Sequence, residues 1–573
     1  MPLDSHSAIF LRQGQMVFTH KSSWWSVLAI AGLVAAVGVT FGAVLSCGFV
    51  GLDDGNNIFL NPQMGALSWE RLGWALGDMG MARRYMPLGW LGFSAVFTWQ
   101  GLEPAGYHAA SLGWHLLATV TLFAAARNIL RLDDGAGRSG WSTWVAVLVA
   151  AAWALHPLRT EAVAWASGLL YTQASAFAFV ALWLWTLRWT LPGKAGWLSV
   201  GSCVALAASL LTYPIALGLP VVCWLLDLAA GKNLPGSAQP GSWPARSRIG
   251  GGLIGLGLVA GIVLAITLSA RGENAANFAA TASLENFGLV ERSWQALYVW
   301  GRYLVQMICP VGLSPVYTDL YSLHPLERGV FLTALLSAGL LVVVGWLVWR
   351  RHLSPGPVIA YSVMALPFLG LLEHPWIAHD RYAMLLHPVW LIAGARWLLR
   401  VEAPRIRLGA SVFLVGLIVV GAVQACSLVG VWQDHWTLHD RLQQRLPRNA
   451  WAGYYLGSVP VSVLFYEGRF ADIGPLLDRA EANAPGWSAD YLRKEYGGLI
   501  RQHEEFLRQN WSGRTLAPLA VLHFLHGKSA EDRRDWFTAR AHFQAALRTA
   551  GDFGEARQEL LRSEAHLARP AQK

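Results

Sequence analysis

An aspartate pair, Asp53-Asp54 in GLDDGNNIFLN, lies a few residues past the first long apolar run, Ser23 to Cys47 (SWWSVLAIAGLVAAVGVTFGAVLSC). That run is uncharged and long enough to cross a bilayer as a helix. Carboxylates at its end could take a proton from an incoming hydroxyl or hold a cation beside a phosphate. Asp-Asp-Gly-Asn is equally good chemistry for a solvated turn or a helix cap.

The elements that must position these carboxylates are set by composition. The chain has 573 residues, 54% hydrophobic and 14% charged, with 30 Trp, whereas a soluble domain carries about 25% charge. It reads as an all-α, polytopic membrane protein. Apolar runs near 24–47, 106–127, 140–157, 161–187, 195–212, 214–230, 249–270, 329–349, 356–372, 382–399 and 408–431 give about eleven transmembrane helices. The first run is too long for a cleavable signal. The net charge of +9 comes from Lys and Arg in short loops, a positive-inside pattern that excludes a nucleic-acid partner. The five cysteines lie in or beside apolar segments without ligand spacing and read as core residues.

Arg12 and Lys21, then Arg127, Arg131 and Arg138, then Arg188 and Lys194, Lys232, Arg246 and Arg248, Arg350 and Arg351, and Arg396, Arg400, Arg405 and Arg407 all fit one cytoplasmic side. The N-terminus is then inside and the C-terminus outside. The opposite face holds loop 48–105, with Asp53, Asp54, Glu70, Asp78, Arg83 and Arg84. It also holds the turn with His156, Arg159 and Glu161, loop 271–328, and EHPWIAHDRY. Piece 294–312 is expected to lie on or dip into that face. Ionisable groups gathered at helix ends suggest a shared cavity, or ordinary interfacial anchoring.

From about 432 the pattern becomes soluble and charged. AGYYLGSVPVSVLFYEGRFADIGPLLDRAEANAPGW and RDWFTARAHFQAALRTAGDFGEARQELLRSEAHL each read as paired amphipathic helices resembling tetratricopeptide repeats of about 34 residues. Such stacks bind peptides or protein partners; a small helical cap packed on the membrane part is the alternative. The expected domains are therefore 1–431 in the membrane and 432–573 as a helical-repeat unit on the outer side.

In this setting five stretches resemble the multispanning glycosyltransferases of the GT-C fold, above all the tetratricopeptide-repeat-containing O-mannosyltransferase-like proteins and their bacterial relatives. They are Asp53-Asp54-Gly-Asn-Asn-Ile, Arg84-Tyr85-Met86-Pro87-Leu88, Gly106-Tyr107-His108 with His115, HPLRTEAVAW from His156 to Trp165, and Asp380-Arg381-Tyr382. Two stretches depart from the family. Where it often carries Arg-Lys-Asp, this chain has Leu169-Leu170-Tyr171 after Ser167-Gly168, and Tyr213-Pro214 stands in place of a Lys-Glu pair.

The resemblance implies transfer of a sugar, with mannose one candidate, from a polyprenyl-phosphate donor to a protein hydroxyl or a glycan. The reaction would run on the periplasmic face of a bacterial inner membrane, among membrane lipids. Asp53 or Asp54 would be the base, kept ionised by a nearby Arg. Arg84, Arg159 and Arg381 would meet the phosphate with a planar guanidinium, and His108 and His156 would hydrogen-bond phosphate or sugar. Tyr85, Glu161, Tyr171, Asp380 and Tyr382 complete the expected substrate-binding set. Each has a plainer reading: interfacial packing for the histidines, an ion pair for Asp380-Arg381, a helix-dipole partner for Glu161. No cofactor and no metal are expected, because two adjacent carboxylates alone make a poor cage. The sequon Asn510-Trp511-Ser512 reads as accidental. A scaffold that keeps the architecture and binds a protein partner through its repeats is the second reading, favoured by the two departures. A transporter is a weaker third, since no internal duplication is evident.

Overall fold

The computed structural model describes residues 20–81, 85–133, 139–231, 245–273, 288–317, 328–371, 378–510 and 516–568. Among these residues the chain is helical throughout, with no strand. Eight helices are long and apolar enough to cross a membrane: Trp24–Ser46, Pro104–Asp133, Ala166–Leu187, Pro192–Thr212, Gly250–Ala270, Gly329–Trp349, Asp380–Arg400 and Pro404–Trp432. Trp141–Ala154 and Pro157–Ala164 form an apolar pair bent by 56°, the geometry of a broken span or a re-entrant loop, and Leu219–Ala230 and Gly356–Phe368 are shorter apolar helices. The protein is a polytopic helical membrane protein.

The breaks have local causes. His156 precedes Pro157 and is extended (φ −70°, ψ 137°), as a residue before proline prefers. That break turns the chain into the short helix Thr160–Ala164. The run expected as one span over 161–187 is then interrupted by the turn Ala166–Gly168 before the helix Leu169–Leu187. A Cβ on Gly168 would sit 2.3 Å from the Ala162 carbonyl oxygen, so this close approach requires glycine. Extended Tyr213 before Pro214 likewise shortens the run at 214–230 to the helix Leu219–Ala230.

Within the membrane, helices gain little from leaving water and associate through close packing and hydrogen bonds. Helices Pro104–Leu130 and Leu169–Leu187 bring together fully buried small residues, among them Ala118, Ala125, Ala174 and Ala181. Ser209 and Ser202 donate to the Ala174 and Ala181 carbonyls at 2.7 and 2.9 Å. The helix Leu289–Ile308, over the piece expected to rest on or dip into the membrane face, is inside out. Its Arg292, Gln295, Tyr303 and Gln306 are buried, while Leu289, Val290, Val305 and Ile308 are exposed. An apolar face turned outward suits lipid, and on the polar face Gln295 Nε2 donates to the Gly370 carbonyl and the Tyr303 hydroxyl to the His379 carbonyl.

After the last span the chain stays helical, with Asp434 capping His435–Arg445 by accepting from the Thr437 N–H at 2.8 Å. Helices Val459–Tyr466, Phe470–Asn483 and Asp490–Asn510 surround one apolar cluster. Pro518–Asp532, Trp536–Thr549 and Gly554–Leu567 surround another. Leu438, Leu442, Leu456 and Ala480 belong instead to the large core cluster of the membrane helices. The core therefore runs without interruption from the bilayer into the segment beyond it.

Candidate active site

The two aspartates part company. Asp54 is fully buried. Its Oδ1 accepts from the Ser167 N–H at 2.8 Å and the Ser167 hydroxyl at 2.6 Å, and its Oδ2 accepts from the Val50 N–H at 3.0 Å. Asp54 thus ties the loop after the first span to the turn that opens Leu169–Leu187. Burial pushes its carboxyl up to about 7, against the pull of those hydrogen bonds and with a small push from Asp53.

Asp53 is exposed and lines a cavity of about 290 Å³. Around it stand Asn56 and Phe59 from its own loop, Trp165, and His379 and Arg381. Pro315 and Val316 add to the lining, and Tyr454, Tyr455, Ser458, Val459, Ser462, Val463 and Tyr466 come from beyond the last span.

Arg381 is held from several directions. Its backbone N–H donates to Glu161 Oε2 at 2.8 Å and its Nη1 pairs with Glu161 Oε1, with both side chains almost fully buried. His379 Nδ1 lies 3.5 Å from the same Oε1. The guanidinium carbon sits 4.9, 5.3 and 5.2 Å from the ring centroids of Trp165, Tyr171 and Tyr382, an aromatic cage around a cation. Its Nε is buried and has no hydrogen-bond partner among the described residues. A guanidinium with one edge committed to a carboxylate keeps further N–H donors, of the kind an oxyanion accepts from.

Of the described residues expected to bind substrate, Arg381 alone lines this cavity, and Glu161, Tyr171 and Tyr382 touch or flank it through Arg381. Asp380 faces away, accepting from the Tyr317 hydroxyl at 2.8 Å and Gln306 Nε2 at 3.4 Å. It borders a small void of about 20 Å³ with Glu161 and Arg441. Arg159 is fully buried and donates to the Ala383 carbonyl, with its Nη2 3.1 Å from His387 Nδ1. His156 bonds the Met307 carbonyl and His108 the Gly48 carbonyl, at 3.1 and 3.3 Å. Tyr85 donates to the Leu76 carbonyl at 3.1 Å. These four do not line the cavity, and Arg84 lies outside the described residues.

Sequence reasoning missed His379, Trp165 and the tyrosines at 454, 455 and 466. His379 directly precedes the Asp380-Arg381-Tyr382 stretch, and Trp165 closes HPLRTEAVAW without having been given a site role. Nothing local in the sequence connected Tyr454 with Asp53. Tyr171 and Tyr213, from the two stretches expected to depart from the family, meet at 47° with ring centroids 4.5 Å apart.

About a third of the chain has counterparts among known proteins. Over 201 residues it is 30% identical to Protein O-mannosyl-transferase Tmtc2 of Drosophila melanogaster, and over 206 residues 31% identical to Protein O-mannosyl-transferase Tmtc1 of the same organism. These matches take in 33% and 35% of this chain and 20% and 22% of the relatives, so the chain spans about a fifth of the length of the curated relatives it matches. No family model and no solved structure matches it. The chain is a distant relative of these O-mannosyl-transferases over that third.

Proposed function

We propose that the protein is an integral-membrane glycosyltransferase that moves a sugar, with mannose the first candidate, from a polyprenyl-phosphate donor to a hydroxyl of a protein acceptor. The observation that carries this reading is that Asp53 and Arg381 line one cavity. Asp53 takes the proton of the acceptor hydroxyl as its oxygen bonds to the anomeric carbon. The bond from that carbon to the phosphate oxygen breaks, and the electron pair leaves with the lipid phosphate beside Arg381. Asp54 holds the loop in place and does not meet substrate. On this reading the Asp53 face is periplasmic, in a bacterial inner membrane, residues 1–431 form the catalytic part, and the helices of 432–573 are tetratricopeptide-like repeats that recruit acceptor proteins.

The test supplies purified protein in lipid with polyprenyl-phosphate sugars and a periplasmic extract. Asp53→Asn should lower transfer by about a hundredfold or more while the fold is kept. Transfer by Asp53→Asn at the wild-type rate would refute Asp53 as base.

A second reading, a scaffold without activity, draws support from the Glu161 carboxylate already engaging Arg381. Transfer from no donor, together with capture of one defined partner by the helices after 432, would establish it.

A further inference from the structure

The cavity around Asp53 has two unlike walls. The ionisable groups Asp53, His379 and Arg381 belong to the membrane-embedded part and its loops. Arg381 stands at the head of the span Asp380–Arg400, the side from which a lipid-anchored molecule arrives. The second wall is Tyr454, Tyr455, Ser458, Val459, Ser462, Val463 and Tyr466, neutral, with hydroxyls on five of its seven side chains. It lies in a stretch beyond the last span, and among the described residues after 432 no helix is long and apolar enough to cross a membrane. A water-borne molecule arrives there.

The wall has a shape. The Tyr454 and Tyr455 rings meet at 87° with centroids 5.0 Å apart, forming a corner. Tyr454 is 54% exposed, so its ring stands at the mouth. Trp487 packs behind, and a Cβ on Gly453 or Gly457 would lie 2.2 or 2.1 Å from its ring atoms. The corner is thus backed by a large rigid side chain, and paired tyrosines of this kind supply contact area and hydroxyls at small entropic cost.

We infer that residues 454–466 form the acceptor subsite, and that its occupant is an extended, hydroxyl-bearing peptide without acidic residues next to the hydroxyl. This rests on the glycosyltransferase reading. The cavity must also hold the sugar in transit. A serine or threonine side chain carries its hydroxyl on a one-carbon arm and leaves that space free, whereas a second sugar ring competes for it. Tyrosine and serine hydroxyls suit peptide N–H and carbonyl groups. An acidic neighbour would be brought toward Asp53, and like charges set side by side are costly.

The experiment uses the full chain in lipid nanodiscs and three probes: a neutral Ser/Thr peptide, its twin with Asp beside each hydroxyl residue, and a neutral disaccharide. Binding is read by photocrosslinking from benzoylphenylalanine placed at Tyr454, and catalysis by the KM for peptide and for donor. The neutral peptide should crosslink and its acidic twin about tenfold less. Tyr454→Ala should raise the peptide KM about tenfold with the donor KM unchanged, while Tyr454→Phe, which keeps the ring and loses only the hydroxyl, should raise it by a smaller factor. Crosslinking to the disaccharide alone, or a Tyr454→Ala variant whose donor and peptide constants move together or not at all, overturns the inference. Peptide crosslinking without transfer from any donor would sustain the subsite and sink the glycosyltransferase reading.

Discussion

Two adjacent aspartates have different surroundings: Asp53 lines the cavity and Asp54 is buried in the fold. Sequence marks both as acidic and near a membrane surface, but side-chain direction in an irregular turn has no period to read. Asp54 offers a pH signature. Its folded carboxyl is pushed up to about 7, so the folded chain holds that proton more tightly than the unfolded one. Its stabilising contribution is complete below the ordinary carboxylate range and is lost as pH rises through about 7. Thermal unfolding in detergent between pH 4 and 8 should show wild type losing more stability than Asp54→Asn; parallel curves would rule the shift out. Glu161 gives the second residue-scale expectation. Glu161→Gln leaves Arg381 buried without its counter-charge, which costs about 3–5 kcal/mol. Chemical unfolding midpoints would measure it, and a loss below about 1 kcal/mol would make the pair dispensable. His108, His156 and Arg159 show why ionisable residues at helix ends are hard to assign from sequence. A buried histidine bonded to a carbonyl and a catalytic one occupy the same kind of position in the chain.

At the level of elements, the apolar runs were legible almost throughout, because hydropathy over about twenty residues is a strong signal. Their interruptions were less so. The HPLRTEAVAWASG stretch breaks at Pro157 and again at Gly168, and the second break depends on a backbone contact no hydropathy profile contains. Tyr171 and Tyr213 are far apart in sequence and look like two separate losses of charge, yet they form a single aromatic contact. The helical turn Tyr454–Ser458 depends on glycine where Trp487 presses against it. Gly457→Ala forces that indole to move, an overpacking cost of about 1–3 kcal/mol. Lower stability with a reduced peptide affinity is the expected outcome, checked by unfolding and by the peptide KM. A variant that unfolds and binds like wild type would mean the wall tolerates displacement.

Across the whole molecule, the helices after 432 meet the loop 48–105 through the Arg540–Glu70 pair and a bond from Arg548 to the Pro62 carbonyl. Glu70 is 55% exposed, and such pairs contribute about 0–1 kcal/mol. Glu70→Ala should therefore shift the unfolding midpoint only slightly, and a large loss would transfer the weight of this junction from apolar packing to charge. The apolar cluster shared by residues on both sides of 432 joins the parts beside the ion pair. The last residue lining the cavity is Tyr466, and the first is Gly51. A chain still on the ribosome has all its spans made before the far wall exists. The order of synthesis itself thus withholds a finished site until the membrane part is complete, so a half-made chain leaves its carboxylate facing open water.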